Sequence, residues 1–164
     1  MFSGIIENKG NVKEFKKIKD YRLILKTNLK FKDIKKGSSV CCNGVCLTVI
    51  NKKRVNNFTD LYFDVSDETV NCTNFKEIKL GDLINIEKSL RVGDEISGHF
   101  VFGHVDDAGV LVSSKKKGDS HELKIKTSKK IKKFIAKKGS ISVNGISLTI
   151  NSIKAGIISL NIIP

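Results

Sequence analysis

Hydrophobic residues along this chain occur in short runs that often alternate with polar residues, and Gly, Asn and Asp interrupt the runs. This pattern is typical of short strands joined by tight turns. In the first half it predicts strands over six segments: Ile5 to Val12, Arg22 to Thr27, Ser39 to Cys42, Val45 to Asn51, Leu61 to Val65 and Leu83 to Leu90. Six short strands are enough to close a small barrel, so the pattern predicts an all-β protein.

Helices are predicted in only three places, and all of them are short. Phe31 to Lys35 and Ser128 to Lys137 each precede a Lys-Gly turn, and Ser128 is a suitable N-cap for the second. Asp67 to Asn71 can form one more helical turn. Helices are therefore a minor part of the predicted fold.

The chain contains an internal repeat with a period of about a hundred residues. The Asn-Gly pairs of its main motif lie between strand-like segments, where this dipeptide favours a two-residue type I′ hairpin. The repeat predicts two tandem barrels, residues 1–97 and 98–164, related by duplication. The matching motifs are Asn43-Gly44-Val45-Cys46-Leu47-Thr48 with Asn144-Gly145-Ile146-Ser147-Leu148-Thr149, Gly4-Ile5-Ile6-Glu7 with Gly103-His104-Val105-Asp106, Leu25-Lys26-Thr27 with Ile125-Lys126-Thr127, and Lys35-Lys36-Gly37-Ser38 with Lys137-Lys138-Gly139-Ser140.

The second copy is shorter than the first. The stretch from Glu68 to Ser97 has no counterpart after the second hairpin motif. We therefore expect the second barrel to be incomplete at its C-terminal end and to leave an unpaired sheet edge.

Strand alternation makes the repeated motif a candidate site. Successive side chains of a strand point to opposite sides, so Leu47 and Leu148 are expected to face the barrel cores. The small polar residues then face outward, namely Cys46, Thr48, Ser147 and Thr149. They are either ordinary solvent-facing positions or parts of two similar half-sites. A second polar cluster in each copy, Asp64 to Thr69 and Asn161 to Pro164, favours two half-sites for two similar ligands.

Two residues break the symmetry of the repeat. His104 stands where the first copy has Ile5, and Cys46 stands where the second copy has Ser147. Histidine titrates near neutral pH, which makes His104 a candidate proton carrier, with His99 as a nearby competitor. Simple drift after duplication also explains the exchange of cysteine for serine.

The net charge of +13 comes mostly from lysine runs. A basic chain can bind nucleic acid, but these runs contain no interleaved aromatic residues, and the chain has 2 Tyr and no Trp. A solvated lysine-rich surface is the better interpretation, so we expect no nucleic-acid partner.

The four cysteines form no Cys-x-x-Cys pair and have no histidine nearby, so no metal site is expected. The sequence shows no signal peptide and no apolar run of about 18 residues. It therefore predicts a cytoplasmic protein with reduced thiols and no membrane partner.

Taken together, these motifs resemble the α-subunit type of riboflavin synthase over essentially the whole chain. Only the ordered set is specific, because each motif alone is short. The matching segments are Met1 to Glu7, Asn43 to Val49, Phe63 to Val65 with Glu68-Thr69 and Thr73-Asn74, Gly81 to Glu87, Gly98-His99, Gly103 to Asp106, Gly139-Ser140 and Gly145 to Thr149.

The resemblance implies two tandem six-stranded Greek-key barrels and, when the protein is full length, a homotrimer joined by a C-terminal helix. Such enzymes convert two molecules of 6,7-dimethyl-8-ribityllumazine into riboflavin and 5-amino-6-(ribitylamino)uracil by transferring a four-carbon unit, without a metal or organic cofactor. The resemblance also implies that each active site forms between the N-terminal barrel of one subunit and the C-terminal barrel of another. Lumazine synthase is a further expected partner.

The resemblance carries site residues onto this chain in two groups. One lumazine is expected to contact Gly4, Ile5, Ile6, Cys46, Leu47, Thr48, Asp64, Val65, Ser66, Asp67, Glu68 and Thr69. The other is expected to contact Gly103, His104, Val105, Ser147, Leu148, Thr149, Asn161, Ile162, Ile163 and Pro164, with Lys138 reaching in from a neighbouring chain. The candidates for the chemistry are His104, Ser147, Thr149 and Cys46.

The chain departs from the family at Pro164, where the family continues with a final strand and a helix. We therefore expect binding through the first barrel and poor synthase activity. The main alternative is a non-catalytic lumazine- or flavin-binding protein of the same family, like the lumazine proteins of luminous bacteria, which tend to lose the polar residues of the second site. A basic barrel for single-stranded nucleic acid is the third possibility, and it would need aromatic stacking positions.

Overall fold

The first half of the chain forms a closed six-stranded antiparallel barrel in the computed structural model, which describes residues 1–163. The strand order is β1-β2-β5-β4-β3-β6, and β1 pairs with both β2 and β6, which closes the barrel. The strands are β1 Asn8–Lys17, β2 Tyr21–Thr27, β3 Ser39–Cys42, β4 Val45–Val55, β5 Phe58–Val65 and β6 Leu83–Lys88.

Alternation along each strand places the apolar residues inside this barrel. In β4, Val45, Leu47 and Val49 are buried, whereas Thr48 between them is exposed. Leu61 and Phe63 of β5 are fully buried in the same core. Burial of this apolar surface is the main stabilising contribution to the barrel.

Two-residue turns set the register of the hairpins. Asn43 and Gly44 have φ values of 47° and 86°, and Asn144 and Gly145 have φ values of 47° and 83°. Positive φ at both positions defines the type I′ turn and explains the Asn-Gly pair in each copy. The predicted hairpins are therefore confirmed.

The second half repeats the strand order but does not close. Its strands form a four-stranded sheet, β11-β12-β8-β7, and a two-stranded sheet, β10-β9. Within residues 1–163 no strand takes the place that β6 has in the first barrel. The strands are β7 Val110–Lys117, β8 Ser120–Lys126, β9 Ser140–Val143, β10 Ile146–Thr149, β11 Ser152–Lys154 and β12 Ile157–Ile162.

The core of the second half is correspondingly smaller. Its fully buried residues are Ile150, Ile158 and Leu160, with Ile125 nearly buried beside them. Leu148 packs against this core but remains partly accessible. These observations confirm the predicted all-β fold with a complete first barrel and an incomplete second one.

The helix predictions are corrected in part. Helix α1 spans Asp67–Cys72, and the side chain of Ser66 caps it by accepting a hydrogen bond from the Thr69 amide. The other two predicted helices are single 3₁₀ turns, Phe31–Asp33 and Lys132–Phe134. Lysines spaced three and four residues apart in the second segment repel each other on a helix surface, which explains why the longer helix does not form.

The predicted cap at Ser128 is also wrong. The N-cap of the second 3₁₀ turn is Ile131, and its side chain makes no capping bond. Ser128 instead accepts a hydrogen bond from the Lys130 amide, ahead of the turn. Among residues 1–163, no helix combines the length and apolar character required to cross a lipid bilayer.

The first strand begins later than predicted, at Asn8 instead of Ile5. The residues before it form a separate segment with its own partners. We call residues 1–6 the first leading segment and their counterparts, residues 100–105, the second leading segment.

Candidate functional site

The two leading segments pair with each other where the two copies meet. The Phe2 amide donates to the Val101 carbonyl at 2.8 Å, and the Val101 amide donates to the Phe2 carbonyl at 2.9 Å. Phe2 and Val101 occupy equivalent positions in the repeat. Reciprocal bonds between equivalent residues indicate that a pseudo-twofold axis relates the two copies.

The hairpin turns meet at the same junction. A Cβ placed on Gly44 would lie 2.9 Å from the Gly145 nitrogen, and one placed on Gly145 would lie 3.0 Å from the Gly44 nitrogen. Glycine is therefore required at both turns by the close approach as well as by φ.

Each leading segment lies against the hairpin strand of the other copy. The Gly4 carbonyl accepts a hydrogen bond from the Ser147 amide, and the Gly103 carbonyl accepts one from the Cys46 amide, both at 2.8 Å. A Cβ on Gly4 would lie 2.7 Å from Ser147 Cβ, and a Cβ on Gly103 would lie 2.5 Å from Cys46 Cβ. The segments are thus exchanged between the copies.

The exchange gives contacts that differ from the grouping expected from the sequence. That grouping places Gly4 with Cys46 and Gly103 with Ser147, whereas the structure places Gly4 with Ser147 and Gly103 with Cys46. We define half-site 1 as Cys46, Thr48, the stretch from Asp64 to Thr69 and the stretch from Gly103 to Val105. Half-site 2 is Ser147, Thr149, the end of β12 and the stretch from Gly4 to Ile6.

Half-site 1 is anchored on the first barrel. Cys46 is half-buried beside Phe2, Cys41 and Val101, and Val105 packs against the core of the first barrel. His104 is exposed. Burial raises the pKa of Cys41 to about 12, so this neighbour of Cys46 remains a protonated thiol.

The polar cluster of half-site 1, which begins at the end of β5, contains carboxylates that already have partners. Val49 pairs with Phe63, so Thr48 and Asp64 follow on the outward faces of adjacent strands. Asp64 accepts from Arg22 Nε at 2.6 Å, Asp67 accepts from Lys17 Nζ at 2.6 Å, and Glu68 accepts from Cys72 Sγ at 3.0 Å. Val65 is buried, and Leu47 lies in the core behind the site.

Half-site 2 contains a serine in contact with a histidine. Ser147 Oγ lies 2.7 Å from His99 Nδ1, and Ser147 is half-buried while Thr149 is exposed. Burial lowers the pKa of His99, which favours the neutral ring. A neutral imidazole can accept a hydrogen bond from the hydroxyl or donate one to it, depending on the tautomer, and its unprotonated nitrogen can act as a base.

His99 is therefore a functional candidate that the sequence analysis ranked below His104. The repeat favours His104 because it breaks the symmetry, yet the structure places His104 at half-site 1 and gives the serine contact to His99. The sequence signal is the Gly98-His99 pair, which is one of the segments matched by the resemblance. The structure explains the glycine, because a Cβ on Gly98 would collide with the Ser3 carbonyl oxygen and lie 2.8 Å from Ser147 Cβ.

The remaining predicted residues lie at the margins. Ile5 is exposed, Ile6 is half-buried, Asn161 is exposed and Ile162 is half-buried at the end of β12. Ile163 is exposed, and Pro164 lies outside the described residues.

Lys138 is exposed in a left-handed turn with φ of 68°. Its amide donates to the Ile150 carbonyl, as the Gly37 amide donates to the Val49 carbonyl. The structure therefore aligns Lys138 with Gly37, one residue away from the match read from the sequence.

Two cavities border the leading segments. One of about 920 Å³ is lined by Ser3, Ile5, Ser39, Glu87 and Ser89, among others. The other, of about 610 Å³, is lined by the second leading segment and the open interior of the second half. Both are within the size range of small-molecule sites. Within residues 1–163, no group of three or more His, Cys, Asp or Glu is placed to hold a metal ion.

The fold defines a class of protein with two tandem Greek-key barrels, in which the leading segment of each copy contacts the hairpin strand of the other. The chain belongs to the lumazine-binding domain family, whose model, described as "Lumazine binding domain", matches residues 3–89 and 102–164.

Similar proteins include riboflavin synthases and a flavin-binding protein. The chain is 37% identical to riboflavin synthase of Chlamydia trachomatis serovar D, over 100% of this chain and 78% of the relative. It is 36% identical to riboflavin synthase of Photobacterium leiognathi, over 100% of this chain and 74% of the relative.

Among solved structures, LumP complexed with riboflavin has a TM-score of 0.85 and 25% identity, over 98% of this chain and 86% of LumP. LumP complexed with 6,7-dimethyl-8-(1'-D-ribityl) lumazine has a TM-score of 0.80 at the same identity, over 98% and 85% of the two chains.

Proposed function

We propose that the chain is a riboflavin synthase. It binds two molecules of 6,7-dimethyl-8-ribityllumazine and transfers a four-carbon unit between them, giving riboflavin and 5-amino-6-(ribitylamino)uracil. The observation that carries the proposal is the pair of equivalent half-sites, because this reaction consumes two identical molecules. The similarity to riboflavin synthases supports the same assignment.

The chemistry demands little beyond positioning and proton transfer. The methyl group on C7 of the lumazine is acidic because the conjugated ring delocalises the carbanion. A protein that holds two flat rings together gains rate mainly by proximity and by acid-base catalysis. In half-site 2, Ser147 and His99 form the hydroxyl-imidazole pair for moving a proton.

Half-site 1 has a different chemical character. It presents Cys46, Thr48 and the exposed ring of His104, beside carboxylates that are already engaged. We assign to it the binding and orientation of the second lumazine, with His104 as an additional proton carrier. The leading segments contribute their backbone at the two glycines, where a side chain would exclude the neighbouring strand.

The assembly follows the family resemblance. We propose a homotrimer in which half-site 1 of one subunit faces half-site 2 of another, with Lys138 reaching into the site from a neighbouring chain. The domain division at residues 97 and 98, a cytoplasmic location and a complex with lumazine synthase are parts of the same proposal.

The experiment is incubation of the purified chain with 6,7-dimethyl-8-ribityllumazine, with product followed by riboflavin fluorescence and separated by chromatography. We expect riboflavin and 5-amino-6-(ribitylamino)uracil in equal amounts. Ser147→Ala should slow turnover while leaving one lumazine bound. The matched control is Ser114→Ala at an exposed position of β7, which should change neither turnover nor binding. Binding without any product would contradict the proposal.

The alternative is a non-catalytic lumazine- or flavin-binding protein, favoured by the overall similarity to LumP, which binds riboflavin in the solved complex. Half-site 2 is the feature that distinguishes a synthase from a non-catalytic binding protein. A protein that only stores one ligand needs one half-site, whereas this chain has Ser147, Thr149 and His99 at the second. A stoichiometry of one ligand per chain with no turnover would support the alternative.

A further inference from the structure

Glu87 is a buried carboxylate on the outward side of β6. It is 2% exposed, while its neighbours Ile84 and Ile86 point into the barrel core. Within residues 1–163 no lysine, arginine or histidine forms an ion pair with it. A buried carboxylate needs hydrogen-bond donors to compensate for its lost hydration.

The first leading segment supplies these donors. Glu87 Oε1 accepts from the Ser3 amide at 2.7 Å and from Ser3 Oγ at 2.8 Å. Glu87 Oε2 accepts from the Gly4 amide at 3.0 Å. Both carboxylate oxygens therefore hold the Ser3-Gly4 dipeptide in one orientation.

The opposite side of the same dipeptide builds half-site 2. The Ser3 carbonyl accepts from the His99 amide at 3.0 Å, and the Gly4 carbonyl accepts from the Ser147 amide at 2.8 Å. His99 and Ser147 are the two residues whose side chains meet at 2.7 Å. Glu87 is thus linked, through Ser3 and Gly4, to the two residues of this contact.

Half-site 1 has no equivalent support in the described part of the chain. The Gly103 carbonyl accepts from the Cys46 amide at the same 2.8 Å. Within residues 1–163, however, no carboxylate accepts from the amides of Phe102 and Gly103, which correspond to Ser3 and Gly4. Within residues 1–163, carboxylate support of a leading segment is therefore described for half-site 2 alone.

We propose that Glu87 is a positioning residue for half-site 2, acting through Ser3 and Gly4 on Ser147 and His99. Its effect on turnover rests on the proposed function, but its effect on the Ser147 amide does not. Glu87→Gln tests it with little change in volume. The new amide group would point an N–H at the Gly4 N–H, so this donor would lose its partner.

The measurement is amide hydrogen exchange of the ¹⁵N-labelled protein by NMR, comparing two residues within one sample. We expect the Ser147 amide to exchange about tenfold faster or more in Glu87→Gln, because a buried donor without an acceptor loosens the segment. The Cys46 amide, which bonds to Gly103, should stay within about twofold of wild type. Riboflavin formation should fall about tenfold while lumazine binding at half-site 1 is retained.

The control is Glu14→Gln, which makes the same substitution in the first barrel at a position that forms an ion pair with Lys16. It should change neither amide. Ser3→Ala provides a milder variant if Glu87→Gln does not fold, because it removes one of the three hydrogen bonds. It should also raise the exchange rate of the Ser147 amide.

Equal acceleration of exchange at Ser147 and Cys46, or no change at Ser147, would overturn the inference. Absence of turnover in wild type would end the proposed function but leave the exchange comparison valid.

Discussion

The two copies of the repeat share a hairpin, a leading segment and a strand order, but within residues 1–163 only the first closes its sheet. Closure depends on β6, which pairs with β1 on one side and β3 on the other. The same strand carries Glu87, which holds the leading segment used by the other copy. The strand that closes the first barrel therefore also holds the Ser3-Gly4 dipeptide, which contacts Ser147 of the other copy.

The largest expected difference between the copies lies in their cores. Leu47→Ala should lower the free energy of unfolding by about 2–5 kcal/mol, because Leu47 is buried in a closed core. Leu148→Ala should cost less than half as much, since Leu148 is only partly buried. Urea denaturation followed by circular dichroism measures both. Equal losses would show that the second core is as well packed as the first.

The junction between the copies provides the next test. Gly103→Ala should destabilise the protein by about 1–3 kcal/mol or more, because the new Cβ would meet Cys46 Cβ at 2.5 Å and φ is 79°. Gly81→Ala is the matched control, with φ of 90° and no atom within 4 Å. It carries the backbone strain without the steric contact. Equal effects in thermal melts would mean that the leading segment does not pack against Cys46.

Lys138 tests the symmetry of the turns. Lys138 has a left-handed backbone conformation, and the equivalent position in the first copy is Gly37. Lys138→Gly should therefore change the free energy of unfolding by no more than about 1 kcal/mol. If the lysine of a neighbouring subunit reaches the ligand, turnover should fall although stability does not. Lys137→Gly, at the preceding exposed position, should leave turnover unchanged. A parallel loss of turnover in both variants would argue against a specific role.

The smallest expected effect is a pH dependence that belongs to half-site 2. The pKa of His99 is lowered by burial, so the unfolded chain binds a proton more readily than the folded one. Stability should therefore decrease as the pH falls below the ordinary histidine pKa of about 6.5. His99→Gln should weaken this decrease relative to wild type, as measured by chemical denaturation about one pH unit above and about one unit below that pKa. An unchanged pH dependence in the variant would contradict the assignment.

Much of the fold was predictable because its signals are local. The Asn-Gly pairs specify hairpins through φ, and the alternation around Leu47 specifies which side faces the core. The incomplete second barrel followed from the missing counterpart of β6. These features depend on residues close together in the chain, which a sequence pattern records directly.

The site was less predictable because it depends on contacts between the copies. The exchange of leading segments leaves no local signal, since Gly4 has the same neighbours in sequence whether it packs on Cys46 or on Ser147. Glu87 stands in an alternating strand next to Lys88 and resembles a surface residue, yet the leading segment covers it. His99 is hard to choose over His104 from sequence because its partner Ser147 lies far along the chain.

Nuclear Overhauser effects can show whether each half-site is built from both copies. In ¹³C,¹⁵N-labelled protein, we expect cross-peaks from the Gly4 Hα protons to the Ser147 amide proton and from the Gly103 Hα protons to the Cys46 amide proton. Cross-peaks from Gly4 to Cys46 and from Gly103 to Ser147, without the first pair, would contradict it.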